Sequence, residues 1–90
     1  MNVVFKPTFL KDFEVLPFST KEEVRLICTK IFPAAQSIGD IQGLYSESIT
    51  GFKQYYRIRI GDYRIGFKKE DDLIIFMRVK HRKDIYRYFP

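Results

Sequence analysis

Ninety residues that include 9 Phe and 6 Tyr make one domain (1–90) able to bury an aromatic core. One cysteine and one histidine exclude a disulfide framework and argue against a zinc site within one chain, so a reducing, cytoplasmic setting is expected. The formal charge of +5 is unevenly placed: residues 1–52 hold 5 Lys/Arg and 6 Asp/Glu, whereas residues 53–90 hold 11 and 5, an asymmetry that points to an anionic partner, nucleic acid or an acidic protein.

The start of the chain lacks the basic, apolar and small-residue pattern of a secretion signal, and no apolar run approaches the roughly 20 residues of a membrane span. In chain order, "NVVFK" (2–6) reads as a strand and "TFLKDFEVL" (8–16) as a short helix with Phe9, Leu10, Phe13 and Leu16 on one side, stopped by Pro17. A second helix follows. Ser19 with Glu22, or Thr20 with Glu23, has the spacing of a capping box. Val24, Ile27, Cys28 and Ile31 then recur at helical spacing, and Pro33 is expected to end the element. On that stripe Cys28 reads as a small core residue, not a nucleophile, because apolar surroundings raise a thiol's pKa.

Residues 34–53 show little periodicity and read as a loop with a short strand near Ile41–Tyr45. Three strands follow, about 54–60, 63–69 and 73–80, joined at Gly61-Asp62 and at Glu70-Asp71-Asp72. The fold class is α+β: β-α-α-β-β-β, with two N-terminal helices packed on one face of a curved, mainly antiparallel sheet.

A two-residue loop at Gly61-Asp62 pairs Ile60 with Tyr63, Arg59 with Arg64, Ile58 with Ile65 and Arg57 with Gly66. Alternation then puts Tyr56, Ile58, Ile60, Tyr63, Ile65 and Phe67 on the core face, and Arg57, Arg59, Arg64 and Lys68 on the other. Gly66 would leave a depression among the cations. Arg59 opposite Arg64 is a like-charge pair, a local cost with no carboxylate at the neighbouring outward positions of the hairpin, and broken local rules point to function. The second basic cluster is "RVKHRKDIYRYFP" (78–90), where Arg82 and Tyr86 would share one side of a helical turn. Antiparallel pairing is expected to carry it to Arg64.

The hairpin "YYRIRIGDYRIGF" (55–67) followed by "RVKHRKDIY" (78–86) resembles the RelE/ParE superfamily of bacterial and archaeal toxins from type II toxin–antitoxin systems. The resemblance implies a RelE-like fold whose curved sheet cradles RNA, and an endoribonuclease (mRNA interferase) that cuts mRNA in the ribosomal A site. The RNA's own 2′-hydroxyl is then the nucleophile, a 2′,3′-cyclic phosphate is left, and no cofactor or metal is needed. Carried over residue by residue, the catalytic candidates are Arg57, Arg59, Arg64, His81, Arg82 and Tyr86. The nucleic-acid contacts are Lys53, Arg57, Arg59, Arg64, Lys68, Lys80, Arg82 and Lys83. Some RelE members have lysines where Arg57 and Arg59 stand, and an arginine is a poor base. His81 is therefore the expected acid/base group, with Tyr86 or Lys53 as helpers. The implied partners are a cognate acidic antitoxin, the ribosome and mRNA. The alternatives are a ParE-like inhibitor of DNA gyrase that catalyses nothing, and an inactive RelE-fold binding protein.

Overall fold

In the computed structural model, which describes residues 1–41 and 45–90, the elements run β1 (Asn2–Phe5), α1 (Pro7–Glu14), α2 (Phe18–Leu26), a π-helical turn (Ile27–Ile31), α3 (Phe32–Ala34), a 3₁₀ turn (Ile38–Asp40), β2 (Tyr45–Ile49), β3 (Phe52–Ile60), β4 (Tyr63–Glu70), β5 (Leu73–His81) and α4 (Ile85–Tyr88). The strands form one five-stranded sheet in the order β1-β5-β4-β3-β2. Among the described residues only β1 and β5 pair in parallel; the other pairings are antiparallel. The expected α+β order holds, and β2 is an added edge strand. Residues 42–44, within the strand expected near Ile41–Tyr45, lie outside the described residues.

Two helix boundaries differ from the sequence expectation. Pro17, not Ser19 or Thr20, stands at the N-cap of α2, and no side chain caps that end. Proline's fixed φ and missing N–H suit a helix entry, so the serine and threonine fall inside the first turn. Nor does Pro33 stop the second helix. The N–H of Phe32 bonds the carbonyl of Ile27, five residues back, and the chain stays helical to Ala34. An interior proline clashes with the carbonyl four residues behind it; the wider π turn opens the ladder there.

The helices bury Phe9, Leu16, Val24, Ile27, Cys28 and Phe32 against Ile58, Ile60, Ile65, Phe67, Ile74, Phe76 and Val79. Phe76 is fully buried and meets four other rings, Phe5, Phe9, Phe32 and Phe67, at centroid distances of 5.1–6.0 Å. One such side chain contributes about 1.5–3 kcal/mol. Cys28 belongs to this core, and burial pushes its thiol well above the usual range. Among the described residues no helix is long and apolar enough to cross a membrane.

The opposite face of the sheet is not left bare. After β5 the chain turns back, and α4 lays Ile85 and Phe89, both buried, against it. The depression expected at Gly66 is filled: a Cβ there would stand 2.5 Å from ring carbons of Phe89. Gly66 is thus the seat of an aromatic ring, and it fixes where the C-terminal tail crosses the sheet.

Candidate nucleic-acid interface

The β3–β4 register is the one the sequence dictates: Ile60 pairs with Tyr63, Arg59 with Arg64, Ile58 with Ile65 and Arg57 with Gly66. Adding the neighbouring strands turns these pairs into two rows across the tail-side face. The first row is Glu47, Arg57, Gly66 and Arg78. The second carries Arg59, Arg64 and Lys80.

Partners in the first row are close. Arg57 Nη2 meets Glu47 Oε1 at 3.2 Å, and its guanidinium lies 4.8 Å from the ring centre of Tyr86. Arg78 lies 4.8 Å from the ring of Tyr88. Glu47 supplies a carboxylate that the hairpin alone does not show, because it arrives on β2. In the second row, Arg59 is exposed, and Arg64 Nη1 donates to the carbonyls of Gly61 and Tyr63, both at 2.8 Å. Lys80 lies 4.6 Å from the ring of Tyr88. Arg59 opposite Arg64 brings like charges side by side, a local cost to the pair of strands.

Asp12 holds one end of both rows. β1 stops pairing with β5 at Phe76, so the edge of β5 beyond it faces α1. There Asp12, 6% exposed, accepts from Arg78 Nε and Nη2 at 2.8 and 3.0 Å and from the Val79 N–H at 3.2 Å. Lys80 Nζ lies 3.2 Å from its second oxygen. A bidentate, buried carboxylate of this kind fixes its arginine in direction as well as place. Arg78 opens the C-terminal basic cluster in the sequence but was not among the site candidates, and Asp12 was not legible, since their pairing joins residues 66 positions apart.

The remaining candidates divide. Tyr86 reaches the arginines through the fold-back of α4. His81 does not. A bulge after Phe76 lets Phe67 pair with Phe76 and Gly66 with Arg78, so Met77 is skipped and the alternation of β5 reverses. Val79 joins Phe76 in the core, Arg78 and Lys80 turn to the tail side, and His81 lies on the helix side, its ring 5.4 Å from that of Tyr63. Its Nδ1 accepts the N–H of Lys83 at 3.2 Å. The expected convergence on Arg64 is made by Lys80, its register partner, instead of His81. Arg82 lies at the Gly61-Asp62 turn, with Nε 3.8 Å from Asp62 and both side chains more than half exposed.

Three lysines are peripheral. Lys68 pairs with Glu70 at 2.8 Å and sits 5.4 Å from the ring of Tyr55; its hydrogen bond to Glu70 holds the ammonium above its usual pKa. Lys53 is exposed in the irregular stretch between the Ile49–Phe52 and Ser48–Tyr56 pairs, out of register with the arginines. Lys83 is exposed beyond β5. Among the described residues no group of three or more His, Cys, Asp or Glu side chains is placed to hold a metal ion.

Comparison with known proteins accords with this geometry. Residues 3–86 match the family model described as the ParE toxin of the type II toxin–antitoxin system parDE. The chain is 43% identical to Toxin RelE3 of Methanocaldococcus jannaschii over 90 residues, the full length of both. It superposes on a crystal structure of a RelB–RelE antitoxin–toxin complex from Methanococcus jannaschii with a TM-score of 0.82 and 40% identity, covering 97% of this chain and 99% of that one. The isolated Escherichia coli RelE toxin shares the fold at 14% identity, with a TM-score of 0.67 over 89% of this chain and 82% of that one. A match that spans the whole chain, on a fold with one helical face and one cationic face, settles the family: the chain belongs to the RelE/ParE superfamily of toxins from type II toxin–antitoxin systems.

Proposed function

We propose that this toxin is a ribosome-dependent endoribonuclease, an mRNA interferase acting in the cytoplasm. The observation that carries the reading is the register row Arg59–Arg64–Lys80 on the sheet face beside the Arg57–Tyr86 stack. Such a row follows a phosphate backbone, and arginine forks suit the non-bridging oxygens of a phosphorane-like transition state. Arg59, Arg64 and Lys80 bind and position the message. Arg57 and Tyr86 sit at the reacting phosphate. Lys53, Lys68, Arg82 and Lys83 add phosphate contacts at the rim. The full-length similarity to a protein named Toxin RelE3 supports the choice of target.

The antitoxin follows from the same surface. One solved relative is a RelB–RelE complex. For this chain we assign an acidic antitoxin segment to the cationic face, where a peptide carboxylate competes most directly with RNA. Complex stability then falls as salt rises. A tight complex that leaves Arg57, Arg59 and Arg64 open would remove this assignment.

The second reading, a gyrase inhibitor, has the ParE family match in its favour. Expression of the toxin with its message mapped on programmed ribosomes separates the two. Cuts within codons that leave 2′,3′-cyclic phosphate ends are the expected result. Intact messages together with double-strand DNA breaks would select gyrase.

A further inference from the structure

Cleavage by the 2′-hydroxyl needs a base, and guanidinium groups cannot serve at neutral pH. His81 lies on the other side of the sheet, against Tyr63. Among the described residues three carboxylates stand near the cationic face. Asp12 is 6% exposed and committed to Arg78, Lys80 and Val79. Glu70 is at the end of β4, paired with Lys68. Glu47 is different. Its side chain is 31% exposed, it is held by Arg57 at 3.2 Å, and it opens on a pocket of about 480 Å³ lined also by Arg57 and Tyr86.

Carboxylate, guanidinium and phenol therefore meet in one cavity. Tyr86 lies over the Arg57 guanidinium at 4.8 Å, and the Nε of Arg57 is buried without a hydrogen-bond partner. The Arg57 side chain keeps 16% of its surface exposed, beside the pocket it shares with Glu47 and Tyr86.

We infer that Glu47 is the general base of the reaction; the inference rests on the endoribonuclease reading. Glu47 takes the 2′-proton as the 2′-oxygen bonds to phosphorus. Arg57 neutralises the non-bridging oxygens between base and leaving group. The P–O5′ bond breaks, and the 5′-oxygen takes the proton of the Tyr86 hydroxyl. The products are a 2′,3′-cyclic phosphate and a 5′-hydroxyl, and the proton on Glu47 returns to Tyr86 through solvent.

The test is single-turnover cleavage of programmed ribosomes by wild type, Glu47→Gln and Tyr86→Phe. The message carries either the natural 5′-oxygen or a 5′-bridging sulfur at the cut, since a thiolate leaves without protonation. Glu47→Gln should cut at least about a hundredfold more slowly, within the range for loss of a general base. It should bind ribosomes no more weakly, because a negative charge has left a cationic face. Its rate should lose the rise with pH on the acid side, and sulfur should not rescue it, whereas sulfur should rescue Tyr86→Phe. Near wild-type cutting by Glu47→Gln, a defect in binding alone, or rescue of Glu47→Gln by sulfur would each overturn the assignment. A 2′-deoxy nucleotide at the cut separates the two levels. If it blocks wild type while Glu47→Gln cuts normally, only the base is wrong. If wild type leaves every message whole, the endoribonuclease reading fails and Glu47 falls with it.

Discussion

The two rows on the tail-side face carry similar charge but differ in how the fold treats them. In the first, Arg57 and Arg78 are ion-paired to Glu47 and Asp12, lie under Tyr86 and Tyr88, and keep only 16% and 19% of their side chains exposed. In the second, Arg59 is exposed and Lys80 keeps 27%. The first row is therefore bound into the molecule's own packing at both arginines, whereas the second is tied down at Lys80, by Asp12 and Tyr88, and held more lightly at Arg64, by two backbone carbonyls. Changes in the first row should cost stability and function together. In the second, a change at Arg64 should cost function with little loss of stability.

Arg64→Ala is the sharpest test of that difference and carries the largest expected effect. Growth arrest on expression should disappear. Stability should stay within about 1 kcal/mol of wild type, because the lost hydrogen bonds to Gly61 and Tyr63 are offset by relief of like charge opposite Arg59. Thermal melts and a plate assay suffice. An Arg64→Ala protein that no longer folds would make the second row structural and erase the distinction.

Asp12→Ala addresses the first row. It strips Arg78 and Lys80 of their common carboxylate and leaves the Val79 N–H without its acceptor. Removing one partner of a buried pair costs about 3–5 kcal/mol; because Arg78 keeps some contact with water, about 2–4 kcal/mol is expected. Melting should fall by roughly 10 °C or more in a domain of this size. A melt unchanged to within a degree or two would mean that Asp12 anchors nothing.

Gly66→Ala tests how the tail comes to cover the first row. Its Cβ would overlap the Phe89 ring at 2.5 Å, so the ring must leave its seat. Overpacking of this kind costs about 1–3 kcal/mol. Amide exchange should speed up through residues 85–90, with the helices on the other face unaffected. Loss of protection spread evenly over the sheet would argue against a local seat.

These contrasts also mark what the sequence could show. The β3–β4 hairpin was legible residue by residue, because strict alternation and a Gly-Asp turn leave one register. β2 was expected too early, near Ile41–Tyr45, although "YSESI" alternates. Its pairing with β3 is interrupted between Ser48 and Ile49, and Gln54 takes a positive φ of 68°, so the two strands carry no shared period. Without β2, Glu47 had no place opposite Arg57. The tail was hidden for another reason: a helix of 4 residues has too little pattern to show a face, and Phe89 finds its seat only once Gly66 is placed. The two proline boundaries turned on backbone sterics that the capping pattern does not encode.

The smallest expected effect belongs to His81, and it tests the bulge in β5. With Ile74 and Phe76 inward, unbroken alternation would turn Arg78 and Lys80 into the core and His81 outward toward the arginines. The skipped residue at Met77 reverses this, giving the cations to the tail side and His81 to Tyr63. His81→Gln keeps much of the size and hydrogen bonding of the imidazole but cannot exchange a proton near neutrality. If the chemistry sits with Arg57 and Tyr86, its single-turnover rate should stay within about tenfold of wild type, short of the 10²–10⁴-fold that a general acid or base supplies. The pH profile should keep its shape, and any loss should be matched by Tyr63→Phe or Tyr63→Leu, which disturb the same ring contact. A drop of a hundredfold with an altered pH profile would instead bring His81 into contact with the substrate and place the reacting phosphate at the β3–β4 turn, beyond the end of the second row.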